Sequence, residues 1–459
     1  MAELNGISSP GFGARQEGAG MRIKAGIVLL MLIVLPVSMA AASIIRDTEI
    51  EHGLKRIIAP MAKSAGLDPE KLAIRIIIDP QYNAFVLGDG SIYLHSGLLL
   101  KAESVLEIAG VMAHEVGHIA SGHVQRRGEV VSDAGLASIL GAAAAVALSA
   151  AGSPDAAYGV ITGGIDQRTR LILARSRQDE GVADALAIKL MQEQNLSLQP
   201  MATTMRRIAS QRLLPQSRQS DYYLTHPGAL ERSAVFQDHV NLNETTPPVT
   251  PPWMIEIFDR IRTKMEGWTA PPKSMLVSTL DKDDSASLYK NAIAHYRLSD
   301  VSAAGTAMQA LIERHPKDAY YREFYGDILL SQGRGADAAA QYELALELLG
   351  ETVNQGQIRL SLGRAYLATG DERLITDAVR HLEIAHQQEP DWAFAKRQLG
   401  IGYGKSGQIA KADLTLAEEA LMRGQDKLAG QLARRVTDNP DATAIEKQLA
   451  ADILHQVGP

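Results

Sequence analysis

The chain has no cysteine in 459 residues. That absence excludes disulfide bonds, thiolate metal sites, a cysteine nucleophile and the cysteine-based anchor of a bacterial lipoprotein. Any metal must therefore be held by His, Asp or Glu. Aromatic residues are scarce at 5%, and 46 Lys and Arg face 53 Asp and Glu, for a formal net charge of −7. No cluster of Lys and Arg forms a basic stripe, so nucleic acid is excluded as a partner. No apolar run reaches the roughly 20 residues of a typical membrane span. What is present is ordinary globular material: 46% of residues are hydrophobic, enough for real cores. The length exceeds what one compact domain usually holds, so two domains are expected.

Residues 1–20 are polar and Gly-rich, with nothing to pack. From Met21 the order becomes basic (Arg22, Lys24), then thirteen apolar positions from Ala25 to Val37, then small residues through Ala42. That is the profile of a signal peptide cleaved near Ala40, with Met21 as an alternative start and an uncleaved anchor as the alternative outcome. On either reading the body is exported, and the periplasm is the expected compartment.

The strongest pattern is His114-Glu115-Val116-Gly117-His118 inside an apolar frame. On a helix the two histidines lie one turn apart, where two imidazoles reach a single ion. Glu115 stands one step around the turn, placed to deprotonate a water at the open coordination position. Ser104 to Glu107 is a capping-box pattern, and Val105, Ile108, Ala109 and Met112 follow at helical spacing. One zinc ion per chain is expected, and it needs a third ligand. Glu180 and Asp184, one turn apart at the edge of an apolar run, supply two carboxylates on one face. Glu180 is the expected metal ligand, and Asp184 the acceptor for the ring N–H of a ligand histidine. His123, nine residues after His114, falls about 180° away if the helix continues, and is read as a non-ligand.

Leu72 to Ile78 reads as a strand closed by Asp79-Pro80, and Asn83–Leu87 with Ser91–Leu94 as a hairpin around a Gly-rich turn. The strand at Asn83, Ala84 and Phe85 either pairs with an extended substrate peptide or is an ordinary sheet strand. Residues 134–151, eighteen without a charge, form either a helix that covers the cleft or touches a membrane surface, or a plain core helix. A single span there would separate ligands that must meet. His226, in Tyr222-Tyr223-Leu224-Thr225-His226-Pro227, is a transition-state donor, a reversible fourth ligand or a structural cap.

Pro247 to Pro252 is a stiff spacer, followed by an amphipathic helix from Trp253 to Trp268 and a break at Pro271-Pro272. Beyond about residue 282 a period emerges. Ala292, Gly326, Gly363 and Gly400 mark the first helix of successive units, with Ala304, Ala338, Ala378 and Ala412 in the second. Paired helices with small residues at their crossings are the tetratricopeptide (TPR) signature, an array that buries one continuous core and offers a concave face to partners.

In this order, Asn83-Ala84-Phe85, His114-Glu115-x-x-His118, Glu180-x-x-Ala183-Asp184 and Thr225-His226-Pro227 resemble the M48 family of zinc metallopeptidases, in particular its periplasmic TPR-bearing members. The likeness covers roughly residues 44–270, and the array most of the rest. It implies an α+β zincin-like metallopeptidase domain, mostly helical with a small β-sheet, followed by an all-α TPR solenoid. It also implies zinc on His114, His118 and Glu180, Glu115 as general base, Asp184 behind a ligand histidine, and His226 beside the metal as a self-inhibiting fourth ligand. Implied clients are misassembled outer-membrane barrel proteins, with chaperone action at the barrel-assembly machinery. Gly181, where a bulkier residue is usual, and the alanine-rich stretch at 134–151 depart from the pattern. Domains are expected at 1–40 (extension and signal), 41–270 (peptidase) and 282–459 (TPR). The expected activity is a periplasmic zinc metalloendopeptidase acting on unfolded or misassembled envelope proteins; the alternative is a TPR chaperone or adaptor with a latent or vestigial peptidase.

Overall fold

The computed structural model describes residues 44–87, 89–123, 167–214, 222, 226–244, 248–278, 284–350 and 353–458. The signal-like segment at 1–40, the stretch at 134–151 and Thr225 lie outside them. No helix among the described residues is long and apolar enough to cross a membrane.

The chain opens with β1 (Ile44–Ile45) and α1 (Thr48–Ser64). Asp47 caps α1, its Oδ1 accepting from Ile50 N at 3.0 Å, while Glu49 and Glu51 oppose the helix dipole in the first turn. β2 (Ile74–Ile77), β3 (Ala84–Val86) and β4 (Ile92–His95) follow, in sheet order β1-β2-β4-β3. β3 and β4 pair antiparallel as the hairpin reading requires, and β4 lies parallel to β2. β3 is therefore an edge among the described strands. Next come α2 (Ser96–Lys101), α3 (Val105–Ala120), α4 (Gln167–Glu193), α5 (Gln199–Ser210), α6 (Ala229–Asn243) and α7 (Pro252–Thr269). Every residue of α3 from Val105 to His118 is buried, which makes it the central helix of the peptidase-like core. Ile108, Val111 and Met112 are fully enclosed there, each worth roughly 1.5–3 kcal/mol of transfer free energy.

The prolines at 251–252 close the irregular stretch ahead of α7, and those at 271–272 mark the break between α7 and the next helix. They open α7 and α8 (Pro272–Ser278), where a missing N–H costs nothing. α7 packs Met254, Phe258, Ile261 and Met265 into the same core as α1 and α3.

The repeats are helix pairs: α9 (Ser285–Arg297) with α10 (Val301–Arg314), α11 (Ala319–Ser331) with α12 (Gly335–Leu349), and α13 (Gly356–Thr369) with α14 (Ile375–Gln388). They continue with α15 (Ala393–Lys405) and α16 (Ile409–Met422), then α17 (Asp426–Asp438) and α18 (Ala444–Val457). The small residues sit at the crossings. A Cβ on Gly326, Gly363 or Gly400 would stand 2.6–2.7 Å from Tyr342, Leu382 or Leu416 of the partner helix.

Residues 40–459 form one compact unit. The seam between the peptidase-like half and the repeats is polar and partly buried. Arg46 reaches Glu389 at 2.7 Å and lies over the Trp392 ring. Thr48 donates to Glu323 at 2.8 Å, and Tyr289 donates to Glu49 at 2.9 Å. Lys264 lies 2.8 Å from Asp47, and Arg260 spans Glu49 and Asp318. Part of the repeat face built from the first helices is thus taken by the start of α1 rather than left open to partners.

Candidate metal centre

Two segments converge on α3. α3 supplies His114, Glu115 and His118; α4 supplies Glu180 and Asp184; the chain ahead of α6 supplies His226. One donor atom from each of His114, His118, Glu180 and His226 lies within 4.8 Å of the others, and all four side chains are buried. The two Nε2 atoms of His114 and His118 are 3.0 Å apart. Glu180 brings Oε2 to 3.2 Å from His114 Nε2 and Oε1 to 3.2 Å from His118 Nε2. His226 Nδ1 lies 3.0 Å from Glu180 Oε2 and 3.3 Å from His114 Nε2.

Asp184 stands behind His114. Its Oδ1 is 2.9 Å from His114 Nδ1, so that nitrogen donates and Nε2 turns its lone pair inward. Arg232 on α6 holds Asp184 with two bonds of 2.7 and 2.8 Å and reaches Glu180 Oε2 at 2.9 Å. Glu115 is buried, with Oε1 3.7 Å from His226 Nε2. That same Nε2 is 3.2 Å from the carbonyl oxygen of Ala84 on β3. Asn83 is buried, and Phe85 stacks on Tyr93 at 5.3 Å.

The electrostatics call for a cation. Burial and Arg232 both disfavour charge on His114, yet Glu180 and Asp184 outweigh them and raise its pKa to about 9. Burial lowers His118 to about 3, with His114 adding repulsion. Burial works against ionised Glu180, but the charges of His226 and His114 hold it far below the usual carboxylate range. Asp184, despite its burial, is held at about 2 by Arg232. A proton on His114 supplies the positive charge that the Glu180 and Asp184 carboxylates favour, and a metal ion would take that proton's place. Glu180 Oε1 is also buried, facing His118 Nε2 and with no well-formed hydrogen bond among the described residues. Three nitrogens and an oxygen suit zinc, so the residues present fit that ion.

Arg232 and the stacking of Tyr222 on His226, at 4.3 Å, were not read from the sequence. A signal for Arg232 existed: it falls on the buried stripe Ala229, Ser233, Phe236, Val240, where a charge needs a partner. His123 stays outside the four-donor cluster, but the geometry behind that reading is corrected. α3 stops at Ala120, and Gly122, at φ +67°, folds the chain back so that His123 meets His118 rather than facing away.

Two histidines one turn apart on a buried helix, meeting a glutamate from a second helix, define a metallopeptidase-type domain, and the paired helices after it a repeat solenoid. Residues 49–239 match Peptidase family M48 and residues 289–351 match a Tetratricopeptide repeat, so the chain carries an M48 peptidase domain followed by TPR repeats. It is similar to the beta-barrel assembly-enhancing protease of Escherichia coli (strain K12), 26% identical over 303 residues, 64% of this chain and 60% of that protein. The protein of the same name from Yersinia pestis is 23% identical over 323 residues, 69% of this chain and 65% of that one. Metalloprotease LoiP of Escherichia coli (strain K12) is 24% identical over 211 residues, 44% of this chain and 76% of its own. The chain thus spans less than two thirds of the length of the beta-barrel assembly-enhancing proteases named here.

Proposed function

We propose that the chain is a zinc metalloendopeptidase of the cell envelope, with the periplasm as its compartment. The convergence of His114, His118 and Glu180 from two helices on one point carries this reading. These three side chains would hold one zinc ion, whose chemistry when bound is that of a Lewis acid toward a peptide carbonyl and an attacking water. Glu115, beside them on α3, accepts the proton of that water and returns it to the leaving amine. Asp184, clamped by Arg232, fixes the tautomer and direction of His114. The open edge of β3 at Asn83, Ala84 and Phe85 receives an extended substrate strand by backbone pairing. His226 closes the centre: its Nδ1 stands among the ligands, and its Nε2 lies against the Ala84 carbonyl that such a strand would border. That placement favours a latent resting enzyme.

The peptidase domain is assigned to 41–270, the repeats to 282–459 and an export signal to 1–40. Clients are unfolded or misassembled envelope proteins, in keeping with the names of the relatives, and the repeats would deliver them or dock on the barrel-assembly machinery. Residues 134–151 are a candidate for peripheral membrane contact. The test is Glu115→Gln in the purified chain. Zinc content should match the parent while casein cleavage disappears; retained cleavage would remove Glu115 from the mechanism, and a parent without zinc would remove the metal reading.

A further inference from the structure

His123 is buried, at 3% exposure, five residues beyond a proposed metal ligand. Its Nδ1 lies 2.9 Å from His118 Nδ1, and its Nε2 lies 3.3 Å from Asp179 Oδ1. We infer that His123, backed by Asp179, is the positioning residue for His118. It acts as an imidazole relay that keeps the proton on His118 Nδ1 and the lone pair on Nε2 toward the metal. The inference rests on the zinc reading above.

The proton count has one self-consistent solution. His118 Nε2 faces His114 Nε2 and Glu180, so it must carry a lone pair if it is to ligate. Its proton then sits on Nδ1 and is donated to His123 Nδ1, which can accept only if His123 carries its own proton on Nε2. That second nitrogen lies within ion-pair distance of a carboxylate, 3.3 Å from Asp179 Oδ1. The chain of donors therefore runs outward from the metal to an anion, as it does on the other side of the site. There His114 Nδ1 donates directly to Asp184. The two ligand histidines are thus each oriented from behind by a carboxylate, one directly and one through a second ring. Both carboxylates belong to α4, the helix that supplies Glu180, and Asp179 is its immediate neighbour. Movement of α4 would loosen all three ligands together. Local sequence makes this possible: α3 ends at Ala120, and the left-handed Gly122 returns the chain so that the His123 ring meets the His118 ring edge-on, 5.1 Å apart and tilted by 63°.

The experiment measures zinc affinity of the full chain by competition with a chromogenic chelator. His123→Leu keeps the volume and loses the acceptor; His123→Asn keeps an acceptor near the position of Nδ1. His123→Leu should weaken zinc binding about 10–100-fold, the usual loss when such a supporting contact is removed. His123→Asn should recover most of that loss, and Asp179→Ala should weaken binding in the same direction as His123→Leu. Equal affinities for Leu, Asn and parent would overturn the relay; so would an Asn variant as weak as Leu, which signals packing alone. If the Leu variant does not fold, selective ¹⁵N-histidine labelling of the zinc-loaded parent decides. His123 protonated on Nε2 with a bare Nδ1 supports the relay, and His123 protonated on Nδ1 overturns it. A parent chain that takes up no zinc would instead sink the metal reading itself.

Discussion

Gly117 on α3 lies against the backbone of Ala183 on α4: a Cβ at residue 117 would stand 2.8 Å from the Ala183 carbonyl oxygen and 3.0 Å from its Cα. The histidine helix and the glutamate helix are therefore in backbone contact one residue from His118, and that contact lets the short Glu180 side chain reach both imidazoles. Gly117→Ala gains up to about 1 kcal/mol of helix propensity. It also forces two packed helices apart, at a cost of about 1–3 kcal/mol. The variant should unfold at lower temperature than the parent and bind zinc more weakly, because Glu180 moves with α4. A Gly117→Ala chain that melts higher and keeps parental zinc affinity would show that the helices can shift without cost.

Arg232 is the countercharge of the site. It is buried, bonds both oxygens of Asp184 and lies 2.9 Å from Glu180. Removing one member of a buried charged network leaves the others desolvated and unpaired, typically at about 3–5 kcal/mol. Arg232→Met should lower the urea-unfolding free energy by that order. Arg232→Lys should recover only part, since an ammonium cannot reproduce a two-pronged bond to one carboxylate. Equal stability of Met and Lys variants would mean that the fork geometry is irrelevant here.

What the sequence made legible and what it hid follow one physical line. His114, Glu115 and His118 were readable because helical periodicity alone sets their mutual placement. Glu180 and Asp184 were readable as a pair for the same reason. Their meeting with His114 could only be inferred from a missing ligand, since nothing local encodes contact between residues 66 apart. The return of His123 depended on where α3 stops, and one left-handed glycine decided it. In the repeats, the glycines that touch Tyr342, Leu382 and Leu416 announce themselves by spacing. The fifth pair is hidden: buried Ala433 keeps the period, 33 residues after Gly400, but the exposed Ile445 replaces the small residue of the second helix. The polar seam was invisible, because Arg46 and Glu389 are unremarkable charges until tertiary structure joins them.

That seam titrates. Glu323 accepts from Thr48 at 2.8 Å. Burial pushes its carboxyl up from the ordinary 4.5 to about 8, against Lys264 and with help from Asp47 and Asp327. A folded-state pKa above the unfolded one means that the native chain binds the extra proton. Its contribution is complete below about pH 4.5 and is lost as pH rises toward 8. Over that window the slope approaches about 1.4 kcal/mol per pH unit at most. Glu323→Gln holds the neutral form permanently, so the parent should lose stability relative to the variant between pH 5 and 8. Denaturant titrations of both chains across that range measure it. Parallel pH profiles would show that Glu323 is already ionised in the fold.

His226 is the residue whose removal separates a closed centre from a catalytic donor. Its ring is held on three sides: Tyr222 stacks on it at 4.3 Å, Glu180 lies 3.0 Å from Nδ1, and the Ala84 carbonyl lies 3.2 Å from Nε2. A side chain so placed fills the position that water and substrate must share. It also covers the β3 edge along which an extended peptide would pair. His226→Ala opens both at once. If this conformation is the resting one, casein hydrolysis by the purified chain should rise, with zinc retained on His114, His118 and Glu180. A donor that steadies the transition state behaves oppositely, its loss typically costing about 10²–10³-fold in kcat. A fall of that size in His226→Ala, with zinc content unchanged, would make His226 part of the chemistry and leave latency without its latch.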